Sequence, residues 1–130
     1  MAISASINGI KGAKQISRAL QDYADRFPRR AANALYDQMH EVVEPEVYES
    51  TPEDTGDLRD TIRTAPPTRN GSVISCSIEA GGPEAPYALI VHEDLDAFHP
   101  IGEAKYIERP LQRAGRTFAR ELAARLLPDK

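Results

Sequence analysis

The residues best equipped for chemistry are His92, Glu93, Asp94, Asp96 and His99, which crowd imidazoles and carboxylates, natural ligands of zinc and other divalent metals, into one stretch. Their spacing argues against a shared ion. A helical zinc motif sets two histidines at i and i+4 so that both reach the metal, whereas these lie seven apart with the bulky Leu95 and Phe98 between them. A metal on His92, Glu93 and His99 would make the chain a small metal-dependent hydrolase, which is the enzymatic alternative. The plainer expectation is a polar loop whose histidines hydrogen-bond locally or meet a neighbouring subunit. Cys76 has no base beside it and reads as a small hydrophobe. Ser72, Ser75 and Ser77 lack the glycine-flanked elbow that exposes a hydrolase nucleophile. Gly81 and Gly82 run into Pro83 and not into a lysine-bearing helix start, so they form no phosphate cradle. No catalytic motif results, and none of these groups calls for a cofactor.

Arg109, Arg113, Arg116 and Arg120 recur at spacings of four, three and four, a stripe along one helix face that could track a phosphate backbone. No aromatic residue interleaves for base stacking, and Glu108 and Glu121 interrupt the field. A solvated face or a contact with a partner protein explains the stripe better than a DNA-contacting regulator, which would bind with steep salt dependence. Its natural complement is the acidic face of Asp37, Glu41 and Glu44.

Several elements must hold these groups. Residues 2–8 alternate Ile3, Ala5 and Ile7 with small polar side chains, a strand pattern that Gly9 and Gly12 end. Ile16, Leu20, Tyr23 and Phe27 then line one face of a helix, and Pro28 suits the first turn of the next. That second helix carries Ala32, Leu35, Met39 and Val42 on its core side. Pro45 falls inside it and predicts a kink or an end, with Val47 and Tyr48 beyond on a new heading. Residues 51–60 are dense in turn formers and read as an ordered loop. Strands over 61–65 and 72–80, joined across Pro66, Pro67, Asn70 and Gly71, make a hairpin that buries Ile74, Cys76 and Ile78. After the breaker at 81–86 come a short apolar run, 87–91, and a loop, 94–102. One long helix over 107–127 closes the chain, with Pro110 in its first turn and Leu111, Gly115, Phe118 and Leu122 facing inward. The expected fold class is α+β: N-terminal helices and a long C-terminal helix packed on a small, mainly antiparallel β-sheet, in one domain spanning 1–130.

Composition limits what that domain can do. Leu, Ile, Val and Phe number 9, 10, 5 and 3, or 27 of 130 residues, with no Trp and 18 Ala. The core is thin, so assembly is expected to supply part of the stability. A net charge of −4 and a pI of 5.4 give the whole molecule no electrostatic reason to bind nucleic acid or an anionic membrane. The charge is nevertheless polarised: 37–60 holds nine acids against Arg59, and 105–125 holds six bases against Glu108 and Glu121. With a single cysteine, no secretory signal and no long apolar run, the expectation is a protein folded in a reducing cytoplasm.

The string Thr-Pro-Glu-Asp-Thr-Gly-Asp-Leu-Arg-Asp-Thr-Ile from Thr51 resembles the "P-x-D-T-G-x-L-R-x-S-I" signature of the tail-completion or head–tail joining proteins of tailed bacteriophages, also described as minor tail or minor capsid proteins. Thr51, Pro52, Asp54, Thr55, Gly56, Leu58 and Arg59 carry that likeness, with Thr61 where the family often has Ser. A second block is similar to the family's "Y-A-x-x-x-H-E … H … G-x-A-K-Y-L-E-x-P-L". Here it reads Tyr87, His92, Glu93, His99, Gly102, Lys105, Tyr106 and Pro110, with Ile107 where Leu is common. The resemblance spans nearly the whole chain. It implies a non-enzymatic structural protein of the virion neck, assembled in the host cytoplasm as a homo-oligomeric ring, sixfold or twelvefold. Its neighbours would be neck, stopper, tail-terminator or tail-tube proteins, with DNA passing through the lumen and no membrane involved. A ring subunit must present different surfaces to its two neighbours, and opposite charge poles on one chain suit that need.

Overall fold

A computed structural model describes residues 2–6, 14–53, 57–83, 85–95 and 102–126, the first strand and positions 14–17 by backbone alone. The chain is α+β. Strand β1 (Ala2–Ser6) precedes helix α1 (Lys14–Arg26), α2 (Pro28–Gln38), a π-helical turn (Met39–Val43) and α3 (Glu44–Ser50). Next come the short α4 (Asp57–Asp60), strands β2 (Arg63–Thr64), β3 (Thr68–Asn70) and β4 (Val73–Glu79), then α5 (Ala88–Glu93), α6 (Glu108–Ala114) and α7 (Phe118–Leu126).

The sheet is antiparallel and centred on β4, which pairs with β1 from Ala2 opposite Glu79 to Ser6 opposite Ser75. On its other side β2 and β3 behave as one broken strand. Arg63 faces Glu79 and Thr64 faces Ile78, and the Ala65 amide still bonds the Ser77 carbonyl at 2.8 Å. Thr68 then faces Ser75, so three steps on this strand match two on β4. The extra residue is a β-bulge, placed where Pro66 and Pro67 have no N–H to give to the ladder. The hairpin turn therefore lies at Gly71 and Ser72, with Gly71 at φ +62°, and the prolines sit within the strand instead of the loop. Along β4, Ile74, Cys76 and Ile78 are buried, as their alternation with polar residues predicts.

Helix α2 packs against α1, α7 and β4, which puts the core between the helical layer and the sheet. Pro28 opens α2 without needing its missing N–H. The helix does not end at Pro45. It stays helical through Ser50, and the accommodation is the π turn, in which the Glu44 amide bonds the carbonyl of Met39 five residues back. Leu35, Met39, Val43 and Val47, each four apart, are fully buried. In an unbroken α-helix that spacing would drift by about 40° per step, and the wider turn takes up the excess. The inward stripe is thus Ala31, Leu35, Met39 and Val43, while Ala32 and Val42 are only half-buried and Tyr48 is exposed. Phe27 also departs from the expected core face, since it stands at the α1–α2 corner 43% exposed, with the Arg30 guanidinium 5.3 Å from its ring. Buried Gln38 ties α2 to α7, donating to Glu121 at 3.2 Å and accepting from the Arg125 Nε at 2.7 Å.

The long C-terminal helix is two helices. After α6 the chain tightens: the Arg116 and Thr117 amides bond carbonyls three residues back, at 3.4 and 3.2 Å, before α7 begins. Gly115, weak in a helix interior, stands at the break. The inward residues of α7 are Phe118, Ala119, Leu122 and Leu126, with Leu111 half-buried on α6 and Pro110 buried in the first turn of α6.

Candidate functional site

The two blocks that carry the family resemblance meet in space. Thr51 ends α3 fully buried, with its hydroxyl donating to the Val47 carbonyl at 2.6 Å. Arg59, from the short α4, reaches back to the same place: its Nε donates to the Thr51 carbonyl at 2.9 Å, one terminal nitrogen to the Glu49 carbonyl at 3.1 Å and the other to the Glu53 carboxylate at 2.9 Å. The guanidinium carbon also lies 5.1 Å from the centre of the Tyr48 ring. A planar fork with five donors suits this job, because one side chain satisfies carbonyls at the end of a helix and holds the loop beyond it. Leu58 turns inward beside it.

The second block closes on the first through Gly102 and Glu103. The Glu103 amide donates to the Ser50 carbonyl at 2.8 Å. Gly102, at φ +90°, lies so near the chain at Thr51 and Pro52 that a Cβ there would come within 2.5 Å of the Pro52 nitrogen, so glycine alone fits.

Behind this junction His92 is buried on α5. The Glu108 amide, at the start of α6, points at its Nε2 at 3.4 Å, which leaves Nδ1 to donate to Glu93 at 3.1 Å. The Lys105 amide bonds the His92 carbonyl at 2.7 Å, and Lys105 takes a left-handed backbone, φ +54°, that returns its ammonium to Glu93, with Glu108 at 3.8 Å. The Lys105 hydrogen bond, aided by that of His92, holds the Glu93 carboxyl below its ordinary range, and the Glu93 bond raises Lys105. Tyr106, fully buried, meets the imidazole edge-on at 4.9 Å and donates to the Ala88 carbonyl at 2.7 Å, and burial pushes its phenol up. His92, Glu93, Lys105, Tyr106 and Glu108 therefore bind one another and fasten α5 to the α6 start.

Chemically this is a clamp. Both nitrogens of His92 are engaged, so a metal there would have to displace an internal bond. Among the described residues no group of three His, Cys, Asp or Glu is placed to hold a metal ion. Asp54, Thr55, Gly56, Asp96 and His99 lie outside the described residues. Burial pushes the Cys76 thiol up to about 11, far from a thiolate nucleophile, with its Sγ 3.3 Å from the Ala65 carbonyl.

What the clamp holds outward is apolar. Ala88 and His92 form the buried side of α5, while Leu89 and Ile90 are 55% and 72% exposed, flanked by exposed Tyr87 and Leu95. The apolar run at 87–91 signals its hydrophobicity but not that its large members face water.

The arginine stripe is divided by the break after α6. Arg109 and Arg113 share Glu103, at 3.6 and 3.3 Å, and Arg113 also reaches the Ser50 hydroxyl. Arg116 and Arg120 are exposed and form no ion pair among the described residues. On the acidic face, Glu41 meets Arg125 of α7 at 3.4 Å, outside the stripe, and Glu44 accepts from Thr64 at 2.8 Å and pairs with His40 at 3.1 Å, leaving Asp37 exposed. Glu103, absent from the sequence reading, anchors both stripe residues of α6, and its place beside a motif glycine gives no hint of that role. Comparison with family models, with curated proteins and with solved structures finds no match for this chain.

Proposed function

We propose that the chain is a structural subunit of a tailed-phage neck, a ring-forming head–tail joining or tail-completion protein that acts by binding and not by catalysis. The observation that supports this best is the use to which the motif residues are put. Arg59, Thr51, His92, Glu93, Lys105 and Tyr106 spend their polar groups on one another, on Glu53 and Glu108 and on backbone, Gly102 closes against Pro52, and the element they fix, α5, turns Leu89 and Ile90 to solvent. An enzyme keeps polar groups unspent for a substrate; an assembly protein fixes an apolar face for a neighbour. The reading places α5 against the next neck component, in a virion assembled in the host cytoplasm.

The test is genetic. Deleting the gene from the phage or prophage that carries it should yield filled heads and finished tails that fail to join. The wild-type chain supplied in trans should restore joining, and a Leu89→Asp, Ile90→Asp chain that is folded by circular dichroism should not. Normal joined particles from the deletion overturn the proposal.

A further inference from the structure

Two surfaces of this chain are unspent and complementary. The first is the α1–α2 corner. Arg26, Phe27, Arg29 and Arg30 are all exposed there, Pro28 fixes the bend, and the three guanidiniums form no ion pair among the described residues. The result is an aromatic knob ringed by positive charge. The second is a groove of about 490 Å³ between α3 and the α6–α7 turn. Val42, Pro45 and Ala114 give it apolar lining, and Glu46 and Glu49 stand exposed along it without an ion pair among the described residues. The other charges on its wall are already engaged: Glu121 by Gln38 and Thr117, and Arg113 by Glu103.

We propose that the α1–α2 corner of a second copy of this chain seats in this groove, Phe27 against the apolar lining and Arg26, Arg29 and Arg30 along Glu46 and Glu49. The inference builds on the ring reading above and names its intersubunit contact. The charges are opposite in sign, and among the described residues neither Arg26, Arg29 and Arg30 nor Glu46 and Glu49 has an ion pair to break on association, Arg30 keeping only its contact with the Phe27 ring. Geometry forbids the intramolecular version. Phe27 and Pro45 lie at opposite ends of the helical rod 28–50, roughly 25 Å apart at 1.5 Å per residue. One copy cannot fill its own groove, and knob and groove are different surfaces. The contact is therefore heterologous, the kind whose repetition closes a ring when the rotation from copy to copy closes. It also explains why the stripe and the acidic face of Asp37, Glu41 and Glu44 are less suited to be the interface: within each chain most of those charges are already paired.

Three variants test the proposal by sedimentation velocity at low ionic strength, each checked for native circular dichroism and melting. The knob variant carries Phe27→Ser, Arg29→Ser and Arg30→Ser; the groove variant carries Glu46→Arg and Glu49→Arg. Wild-type chain should self-associate with increasing concentration and less so in added salt. Each variant alone should associate at least about tenfold more weakly, as loss of a central anchor does. An equimolar mixture of the two should stop at a one-to-one heterodimer, because only one good knob and one good groove remain. A third chain with Arg29→Glu, Arg30→Glu, Glu46→Arg and Glu49→Arg should regain assembly. Wild type that stays monomeric, variants that assemble like wild type, or a mixture without heterodimer each overturn the contact. If the variants assemble like wild type while the deletion above still blocks joining, this contact fails and the neck reading stands. If the heterodimer forms and the deletion has no effect, the neck reading fails and the contact stands.

Discussion

Replacing Arg59 by Met keeps most of the aliphatic stem and removes every donor. The guanidinium is nearly buried, and the change takes the partner away from two main-chain carbonyls, those of Thr51 and Glu49, at the end of α3. The buried Thr51 carbonyl, deprived of its charged donor, costs about 1 to 3 kcal/mol, and the part-buried Glu49 carbonyl about 1 kcal/mol. The Tyr48 ring contact adds about 0.5 kcal/mol, and the Glu53 pair, whose carboxylate side chain is 43% exposed, adds at most about 1 kcal/mol. The expected loss is therefore about 4 kcal/mol, a large share of the roughly 5 to 15 kcal/mol that holds a domain folded. For a chain of this length that corresponds to a fall in Tm of roughly 10 to 15 °C. Urea unfolding followed by circular dichroism reads the free energy, and a thermal melt reads the shift. Glu53→Gln serves as the internal comparison and should cost less than about 1 kcal/mol, because only the exposed pair is touched. An Arg59→Met chain within about 1 kcal/mol of wild type would refute the claim that this side chain staples the helix end, as would a Glu53→Gln chain that loses as much.

Gly102→Ala should destabilise by about 2 to 4 kcal/mol in the same urea assay, since its Cβ meets Pro52 backbone and its φ is positive; a neutral result would mean that the two motif blocks do not touch there. The Glu93–Lys105 pair should shape stability against pH. Glu93 has a lowered folded pKa, so its contribution is present above its ordinary value of 4.5 and is lost as pH falls through that value toward the folded one; Lys105 has a raised folded pKa, so its contribution is present below 10.5 and is lost as pH rises beyond it. The Tm difference between wild type and Glu93→Gln should be flat across this window and shrink on both sides, and a difference that stays constant down to about pH 3 contradicts the linkage.

Patterns of one residue type along one element were legible in the sequence. Ile74, Cys76 and Ile78 gave β4 its buried face, and Pro28 gave α2 its start. Legibility failed where the answer depended on adjacent equivalents or on distant partners. Val42 and Val43 are the same residue type, and only the π turn decides which faces inward. Gly115 fits an inward helical position by spacing, yet its low helix propensity marks the break. Arg59 takes carbonyls eight and ten residues upstream, and Arg109 and Arg113 take Glu103 from a loop between two elements, choices set by tertiary packing. For the same reason a charge stripe counted along the sequence overstated what remained available to a partner.

The paired prolines at 66 and 67 also govern what the sheet cannot become. A rim of unsatisfied main-chain groups invites further strands, and runaway addition of that kind is how β proteins aggregate when crowded. On the β2–β3 side, the bulge and two consecutive residues without an amide hydrogen spoil the template. Among the described strands, recruitment is left to the rim beyond β1, and two copies joined there would each turn a spoiled rim outward. Growth by this route terminates at two.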